Sequence, residues 1–261
     1  LPTGKMIEMH SAEGLGKTTI TLQILRYIIN KFGKKVAYLD VEAALDEDLR
    51  RKMGVLEYED DGEEPSFLYL CPYTYDEVSK TLNRLLNRDT YDIIVYDSIA
   101  NTSLDIDPEE EDDFKISKKI GLHSLMQGEM LKMFKGRLAR TGKTLIIINQ
   151  MRAHINTNPM AKGPELDPAG GKVLDHNLDI RTAISRAQWL YEDDVKVGVK
   201  VRLTTIKNKC TFPYRQIELE LIFGKGINKV ATMFTTLCEK GIMKRAGAYY
   251  SVPWEEQKFC G

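Results

Sequence analysis

A short glycine-containing segment near the start of the chain, residues 11–19, most constrains how this sequence can fold. The segment reads Ser-Ala-Glu-Gly-Leu-Gly-Lys-Thr-Thr. An alternating run at residues 5–10 precedes it, which is typical of a half-buried strand, and apolar residues at helical spacing follow it as far as a helix stop at Gly33. Strand, glycine loop and helix in this order are what a phosphate-binding loop requires, because backbone N–H groups and a helix N-terminus then face an anion.

The side chains of this segment suit a nucleoside triphosphate bound with Mg²⁺. We expect Lys17 to bind the outer phosphates and Thr18 to ligate the metal, while Gly14 and Gly16 let the backbone turn tightly. Ser11 stands where such loops usually begin with glycine. The expected nucleotide-binding residues of the segment are Ser11, Ala12, Glu13, Gly14, Leu15, Gly16, Lys17, Thr18 and Thr19.

The rest of the chain alternates between strand and helix patterns. Apolar runs at residues 36–39, 93–96 and 145–148 predict buried parallel strands. One helix is expected around residues 78–86 and a longer one at about 120–138. The apolar face expected for the longer helix consists of Leu122, Leu125, Met126, Met130, Met133 and Phe134. We therefore predict an α/β fold with a mainly parallel sheet flanked by helices, and residues 197–206 and 216–223 predict a late antiparallel hairpin.

Polar side chains follow three of the predicted strands. Asp97 ends one strand and suits a carboxylate acting on Mg²⁺, directly or through water. Glu42 lies two residues beyond Asp40 and could orient and deprotonate a water molecule. Gln150 follows another strand, where an amide could sense a γ-phosphate. Ligands bind outside the carboxyl ends of strands in open α/β sheets, so these residues are expected to share one site.

Composition limits the remaining possibilities. The net charge is −1 over 261 residues, so any DNA binding must come from a local basic surface. The four cysteines form no Cys-x-x-Cys pair, which favours a reducing compartment and disfavours a zinc site or a disulfide framework. No apolar run is long enough for a membrane span and no signal peptide is evident, so a cytoplasmic protein is expected.

Several segments resemble one family from end to end, the bacterial and phage RecA recombinases. The segments that carry the resemblance are residues 1–5, 11–19, 39–46, 97–98, 148–152, 170–171, 178–181, 207–209, 223–228 and 246–251. Lys207-Asn208-Lys209 and Gly226-Ile227-Asn228 are far more specific than the phosphate-binding loop, which many NTPases share. The resemblance implies a RecA-like core over residues 1–228 and the start of a small C-terminal subdomain at 229–261, with an N-terminal oligomerisation element expected to be missing.

The resemblance also implies roles for single residues. Glu42 corresponds to the carboxylate that activates water, and Gln150 to the switch that senses the γ-phosphate. Lys207 and Lys209 correspond to cations that reach ATP from the neighbouring protomer and act in trans like an arginine finger. The residues expected at the adenine site are Asp46 and Phe223.

Two long loops are expected to face DNA. They lie at about residues 105–121 and 153–177, although the acidic run of the first, taken by itself, is more typical of a solvated surface. Around the second loop, the expected DNA contacts are Arg152, Lys162, Gly170, Gly171 and Lys172. The second loop is shorter than in bacterial members, and Leu49 stands where the family often stacks a tyrosine on adenine.

The resemblance implies a DNA-dependent ATPase that uses ATP and Mg²⁺. It would assemble into a helical filament or ring on single-stranded DNA and pair it with double-stranded DNA in recombination and repair, in the cytoplasm of a bacterial or phage-infected cell. One alternative is a hexameric helicase or clock-type ATPase with the same core, which residues 207–209 and 223–228 disfavour. A second is a DNA-binding scaffold without turnover, suggested by Ser11 and opposed by the intact Lys17, Thr18, Glu42 and Asp97.

Overall fold

The protein is described here by a computed structural model covering residues 1–55, 64–103, 113–154, 165–169, 171–247, 249–255 and 259–260. For residues 113–124, 152–154, 165–167, 171–173 and 259–260 it describes the backbone. The strands are β1 Met6–Ser11, β2 Val36–Asp40, β3 Phe67–Leu70, β4 Ile93–Asp97, β5 Thr144–His154, β6 Glu165–Pro168, β7 Ile180–Glu192, β8 Val195–Asn208, β9 Gln216–Ile222, β10 Gly226–Ile227, β11 Lys244–Ala246, β12 Tyr249–Ser251 and β13 Phe259–Cys260. The helices are α1 Lys17–Phe32, α2 Glu47–Met53, α3 Tyr75–Asn87, α4 Asp113–Thr141, α5 Gly171–Asn177 and α6 Lys229–Glu239.

One large sheet organises the chain, in the strand order β10-β9-β8-β7-β1-β5-β4-β2-β3, with β6 paired to β5. Pairing is parallel from β7 through β1, β5, β4 and β2 to β3, and antiparallel from β7 to β10. The predicted α/β fold with a mainly parallel sheet and a late antiparallel hairpin is confirmed. The expectation that β1 is half-buried is wrong: all six of its residues are buried, because helices cover both faces of a central parallel strand.

Two hydrophobic clusters lie on opposite faces of the sheet. On one face α1 and α2 pack through Ile20, Leu25 and Met53. On the other face α3, α4 and α5 pack through residues such as Leu82, Phe134 and Leu174. Both faces of the parallel strands are therefore covered, and the strand ends remain available for a site.

The ends of two helices follow local signals in the sequence. Gly33 ends α1 as predicted, in the left-handed conformation with its N–H bonded to the carbonyl of Ile29. A capping box formed by Thr74 and Glu77 begins α3.

The apolar face predicted for α4 is partly wrong. Met130 and Phe134 are buried as expected, but Leu125, Met126 and Met133 are exposed. The buried side of this part of α4 consists of Gln127, Met130, Leu131, Phe134 and Leu138. The pattern alone did not distinguish this face, because apolar residues occur on both sides of the helix.

Neither predicted DNA loop is a loop throughout. Residues 105–112 lie outside the described part of the chain, but α4 begins at Asp113, so residues 113–121 are helical. Within 153–177, β6 pairs antiparallel with β5, and α5 follows from Gly171. Leu174 and Leu178 belong to the hydrophobic core and anchor α5 against the sheet. This helix was not predicted from the sequence, because most of the surrounding segment is polar.

The C-terminal part adds α6 and a small antiparallel sheet of β11, β12 and β13. Asn228 caps the N-terminus of α6 by accepting a hydrogen bond from the N–H of Ala231. The rings of Phe234 on α6 and Tyr250 on β12 meet edge to face, with centroids 4.8 Å apart. Across the described residues, no helix has the length and apolar character needed to cross a membrane.

Candidate nucleotide site

The carboxyl ends of four neighbouring strands place the predicted site residues side by side. Ser11 of β1 lies opposite Gln150 of β5, and Asp97 of β4 lies opposite Asp40 of β2. A cleft of about 410 Å³ opens at this edge of the sheet. Its lining residues are Glu13, Gly14, Gly16, Lys17, Thr18, Asp40, Glu42, Ala44, Leu45, Leu49, Asp97 and Gln150.

The glycine loop connects β1 to α1 as the sequence predicts. Gly16 has φ +75° and stands at the N-cap of α1, a left-handed conformation that favours glycine. A Cβ atom at Gly16 would lie 2.6 Å from Cδ1 of Leu221, so a side chain at this position would also require Leu221 to shift. The N-terminus of α1 therefore opens onto the cleft without an intervening side chain at this position.

Lys17 is buried beneath the loop and donates to three oxygens. Its Nζ lies 3.1 Å from Ser11 Oγ, 3.1 Å from the carbonyl oxygen of Ala12 and 3.3 Å from that of Ser11. Burial lowers the pKa of Lys17, and the charges of Asp97 and Glu42 oppose this effect. The hydroxyl of Ser11, which the usual first glycine lacks, is thus one of the acceptors that hold the ammonium group.

Thr18 and Asp97 meet at the deep end of the cleft. Thr18 Oγ1 donates to Asp97 Oδ2 at 3.1 Å, and the hydroxyl of Tyr38 donates to the same oxygen at 2.5 Å. Burial raises the pKa of Asp97 to about 6, although the hydrogen bond from Tyr38 works in the opposite direction. Tyr38 is a site residue that sequence reasoning missed. Its position two residues before Asp40 on the same strand was the available signal.

Glu42 reaches into the cleft from the loop that follows β2. Its Oε1 accepts hydrogen bonds from Ser98 Oγ at 2.6 Å, Asn101 Nδ2 at 2.7 Å and Gln150 Nε2 at 3.2 Å. The predicted base and the predicted γ-phosphate sensor are therefore in direct contact. Ser98 and Asn101, which orient the carboxylate, were not assigned a role from the sequence.

Asp40 shapes the loop that carries Glu42. Its carboxylate accepts from the backbone N–H groups of Glu42 and Leu45, at 3.1 and 2.8 Å, and from the hydroxyl of Tyr69 at 2.8 Å. With three donors on its two oxygens, Asp40 stabilises the turn from β2 into α2. This turn brings Glu42 to the edge of the cleft.

A second cleft of about 270 Å³ adjoins the first on the side of β9. Leu49, Gly14 and Gly16 line both clefts, and Phe223 lines the second. Phe223, predicted at the adenine site, therefore lies beside the phosphate-binding loop. The side chain of Asp46 accepts from the N–H of Leu49 at 2.6 Å and caps α2, and its contact with adenine stays a prediction.

Lys207 and Lys209 lie at the opposite end of the strands from the cleft, beside the residues where β1 and β7 begin. Lys207 donates to the carbonyl oxygen of Asp175, and Lys209 Nζ is 3.7 Å from Asp179 Oδ1. Asp179 Oδ2 accepts from the N–H of Met6, where β1 begins, whereas the glycine loop follows its end. A strand of this length spans about 17 Å, so the two lysines do not reach the cleft of their own chain.

A third lysine, which the sequence did not indicate, belongs to the same cluster. Lys135 of α4 donates to the carbonyl oxygen of Asn177, and its Nζ lies 3.8 Å from Asp179 Oδ1. Burial lowers the pKa of Lys135; Asp179 opposes this, and the nearby Lys209 adds to it. Three cations and two carboxylates thus meet at the amino ends of the parallel strands.

The expected DNA contacts fall in or beside segments that are only partly described. Lys162 and Gly170 lie outside the described residues. Arg152 lies on β5, where its backbone pairs with Asp167 of β6, and Gly171 and Lys172 begin α5. The expected contacts of these residues with DNA stay predictions.

Comparison with known proteins finds relatives over nearly the whole chain. The RecA N-terminal domain family matches residues 1–228. "Protein RecA" of Corynebacterium glutamicum (strain R) is 30% identical over 256 residues, which are 98% of this chain and 64% of that protein. "Protein RecA" of Leptospira biflexa serovar Patoc is 32% identical over 98% of this chain and 62% of its own length. "Protein RecA" of Mycobacterium sp. (strain KMS) is 30% identical over 98% and 70%. The chain thus spans about two thirds of the length of these relatives, and it belongs to the RecA family.

Proposed function

We propose that this protein is a DNA-dependent ATPase that forms filaments on single-stranded DNA and promotes homologous pairing and strand exchange. The observation that carries this proposal is the division of the site residues between the two edges of the sheet. Lys17, Thr18, Asp97, Glu42 and Gln150 converge on one cleft, whereas the lysine cluster lies about one strand length away. A complete ATP site then needs two copies of the chain, which suits an enzyme that works only when assembled.

In this proposal each residue of the cleft has a distinct task. Lys17 exchanges its contacts with Ser11 and Ala12 for the outer phosphates of ATP. Glu42 accepts the proton of the attacking water, since its carboxylate is already oriented by Ser98 and Asn101. Gln150 contacts Glu42 and would leave it when a γ-phosphate offers a new acceptor for its amide.

The residues at the deep end of the cleft fit Mg²⁺. This ion takes oxygen ligands and usually binds one or two protein groups together with phosphate and water. Thr18 Oγ1 and Asp97 Oδ2, which lie 3.1 Å apart, supply such a donor pair beside the phosphate-binding loop. When bound, the ion would neutralise charge on the phosphates.

The neighbouring protomer would supply Lys207 and Lys209. A cation added in trans stabilises the charge of the transferring phosphoryl group, an effect of about 10³–10⁵-fold in related phosphoryl-transfer enzymes. Hydrolysis would then depend on assembly. DNA would bind at the two predicted DNA segments, and its binding would depend on the nucleotide state through Gln150. A cytoplasmic location follows from this role.

ATP hydrolysis by the full-length protein, with and without single-stranded DNA across a salt series, tests the proposal. We expect strong stimulation by DNA at low salt. The stimulation should fade as salt rises, because binding to single-stranded DNA weakens. The logarithm of the binding constant falls with the logarithm of the salt concentration, with a slope of about −0.7 for each phosphate that the protein neutralises. A protein that binds ATP but is not stimulated by DNA at low salt would contradict the proposal and favour the ring-forming ATPase.

A further inference from the structure

A continuous chain of polar contacts crosses the sheet from the cleft to the lysine cluster. It begins at Asn149, the residue before Gln150. The Nδ2 of Asn149 donates to Glu8 Oε1 at 2.8 Å. Arg181 Nε donates to Glu8 Oε2 at 2.6 Å, and its Nη1 donates to Asp175 Oδ1 at 2.9 Å. The chain therefore runs through β5, β1, β7 and α5 before it reaches β8.

Asp175 connects this chain to Lys207 in two ways. Its carbonyl oxygen accepts a hydrogen bond from Lys207 Nζ, and its Oδ1 lies 3.7 Å from the same nitrogen. The hydrogen bond from Arg181 and the charges of Arg181 and Lys207 outweigh the effect of partial burial and lower the pKa of Asp175. Asp175 is thus held as an anion between the two cations.

The centre of the chain is an ion pair in the middle of the sheet. Glu8 is fully buried, the side chain of Arg181 is 12% exposed, and the two residues face each other across β1 and β7. Burial alone would raise the pKa of Glu8, but the hydrogen bond from His10 and the charge of Arg181 hold it below its usual value. A buried ion pair stabilises a fold little compared with apolar residues of similar volume. The pair does, however, fix the position of the Arg181 side chain relative to β1.

We propose that Asp175 and Arg181 are positioning residues that hold Lys207 ready for the cleft of the neighbouring protomer and couple it to Gln150 in their own cleft. The inference rests on the proposed role of Lys207 in trans. The planar guanidinium of Arg181 donates to Glu8 from Nε and to Asp175 from Nη1, two nitrogens whose separation and directions are fixed, whereas the single ammonium nitrogen of a lysine fixes neither. The side chain of Asn149 donates to Glu8 through its amide nitrogen and accepts from the backbone N–H of Gln150 through its oxygen. A movement of Gln150 would therefore shift Asn149 and change its contact with the Glu8–Arg181 ion pair.

Mixing two inactive variants of the full-length protein tests this proposal. A Glu42→Gln protomer cannot activate water in its own cleft but still offers Lys207 to its neighbour. A Lys207→Ala protomer has a complete cleft but offers no lysine at that position. Activity in the mixture with DNA should come from junctions where the second protomer's cleft meets the first protomer's Lys207.

Asp175→Asn is then added to one protomer at a time. In the Glu42→Gln protomer it should lower the recovered activity by at least about fivefold, the lower end of typical coupling between sites. In the Lys207→Ala protomer there is no lysine to position, and the loss should stay below about twofold, a bound well under that coupling range. Arg181→Lys in the Glu42→Gln protomer should give a similar loss, because the cleft of that protomer is already inactive. Asp89→Asn, an exposed carboxyl on the loop before β4, serves as the matched control.

The outcomes separate the two levels of the proposal. Equal losses from both placements of Asp175→Asn would show a general structural effect and overturn the positioning role. No loss from either placement would overturn it as well. Absence of recovery in the starting mixture would overturn the action of Lys207 in trans, and the positioning role with it. Nucleotide binding and thermal unfolding of every variant confirm that the protomers being compared are folded.

Discussion

Asp97 should weaken the fold that carries it, and replacing it with asparagine should therefore stabilise the protein at neutral pH. Burial raises the pKa of Asp97 to about 6, whereas an aspartate in an unfolded chain titrates near 3.9. The difference of about two pKa units is worth about 3 kcal/mol, at roughly 1.36 kcal/mol per unit. The native state binds a proton more tightly than the unfolded chain between these values, so the contribution of Asp97 to stability is lost as pH rises towards 6.

Asp97→Asn removes this titration and keeps an oxygen that can accept from Tyr38 and Thr18. In EDTA and without nucleotide, we expect the variant to exceed the parent in unfolding free energy by about 2 kcal/mol more at pH 7.5 than at pH 4, because about half of the unfolded chains have already ionised this carboxyl at pH 4. Urea unfolding at a series of pH values measures this difference, and Asp89→Asn controls for the loss of an exposed carboxyl. A gain that does not change with pH, or a variant less stable than the parent at pH 7.5, would refute the reasoning.

Three further substitutions probe the same cleft. Tyr38→Phe removes a hydrogen bond to the Asp97 carboxylate, and bonds to charged groups contribute about 1.5–3 kcal/mol. The variant should need about tenfold more Mg²⁺ for half-maximal nucleotide binding, as a titration of fluorescent ADP with Mg²⁺ can measure. Ser11→Gly removes one acceptor from Lys17 and should tighten ATP binding about fivefold, given about 1 kcal/mol per hydrogen bond, as calorimetry can test. Leu49→Tyr adds a ring to the wall shared by both clefts and should tighten ATP binding about tenfold, because stacking on a base contributes about 1–3 kcal/mol; unchanged affinity for ATP alongside unchanged affinity for inorganic triphosphate would exclude a base contact.

The residues of the cleft were largely predictable because they sit where strands end. The carboxyl ends of neighbouring parallel strands share one edge, so Asp97, Glu42 and Gln150 could be grouped without knowing their distances. The glycine loop had the same advantage, since its strand, turn and helix are local in sequence. Local pattern and strand order together were sufficient for this edge of the sheet.

The polar chain behind the cleft was not predictable in the same way. In an alternating, half-buried strand Glu8 would face solvent, yet it is fully buried. The reason is that β1 is a central strand and that Arg181, 173 residues further along the chain, pairs with Glu8. β7 itself was not recognised, since its 13 residues carry few apolar side chains in alternation and gain their order from pairing with β1 and β8. Such contacts depend on register between distant strands, which no local pattern encodes.

Nucleotide binding and turnover, measured side by side in Lys17→Ala and Glu42→Gln, test the central claim most directly. If the cleft at the carboxyl edge is the ATP site and Glu42 is its base, Lys17→Ala should lose ATP binding. Glu42→Gln should bind ATP as the parent does and hydrolyse it at least about 100-fold more slowly in the presence of single-stranded DNA, as expected for loss of a general base. Hydrolysis by Glu42→Gln at the parent rate would contradict the account.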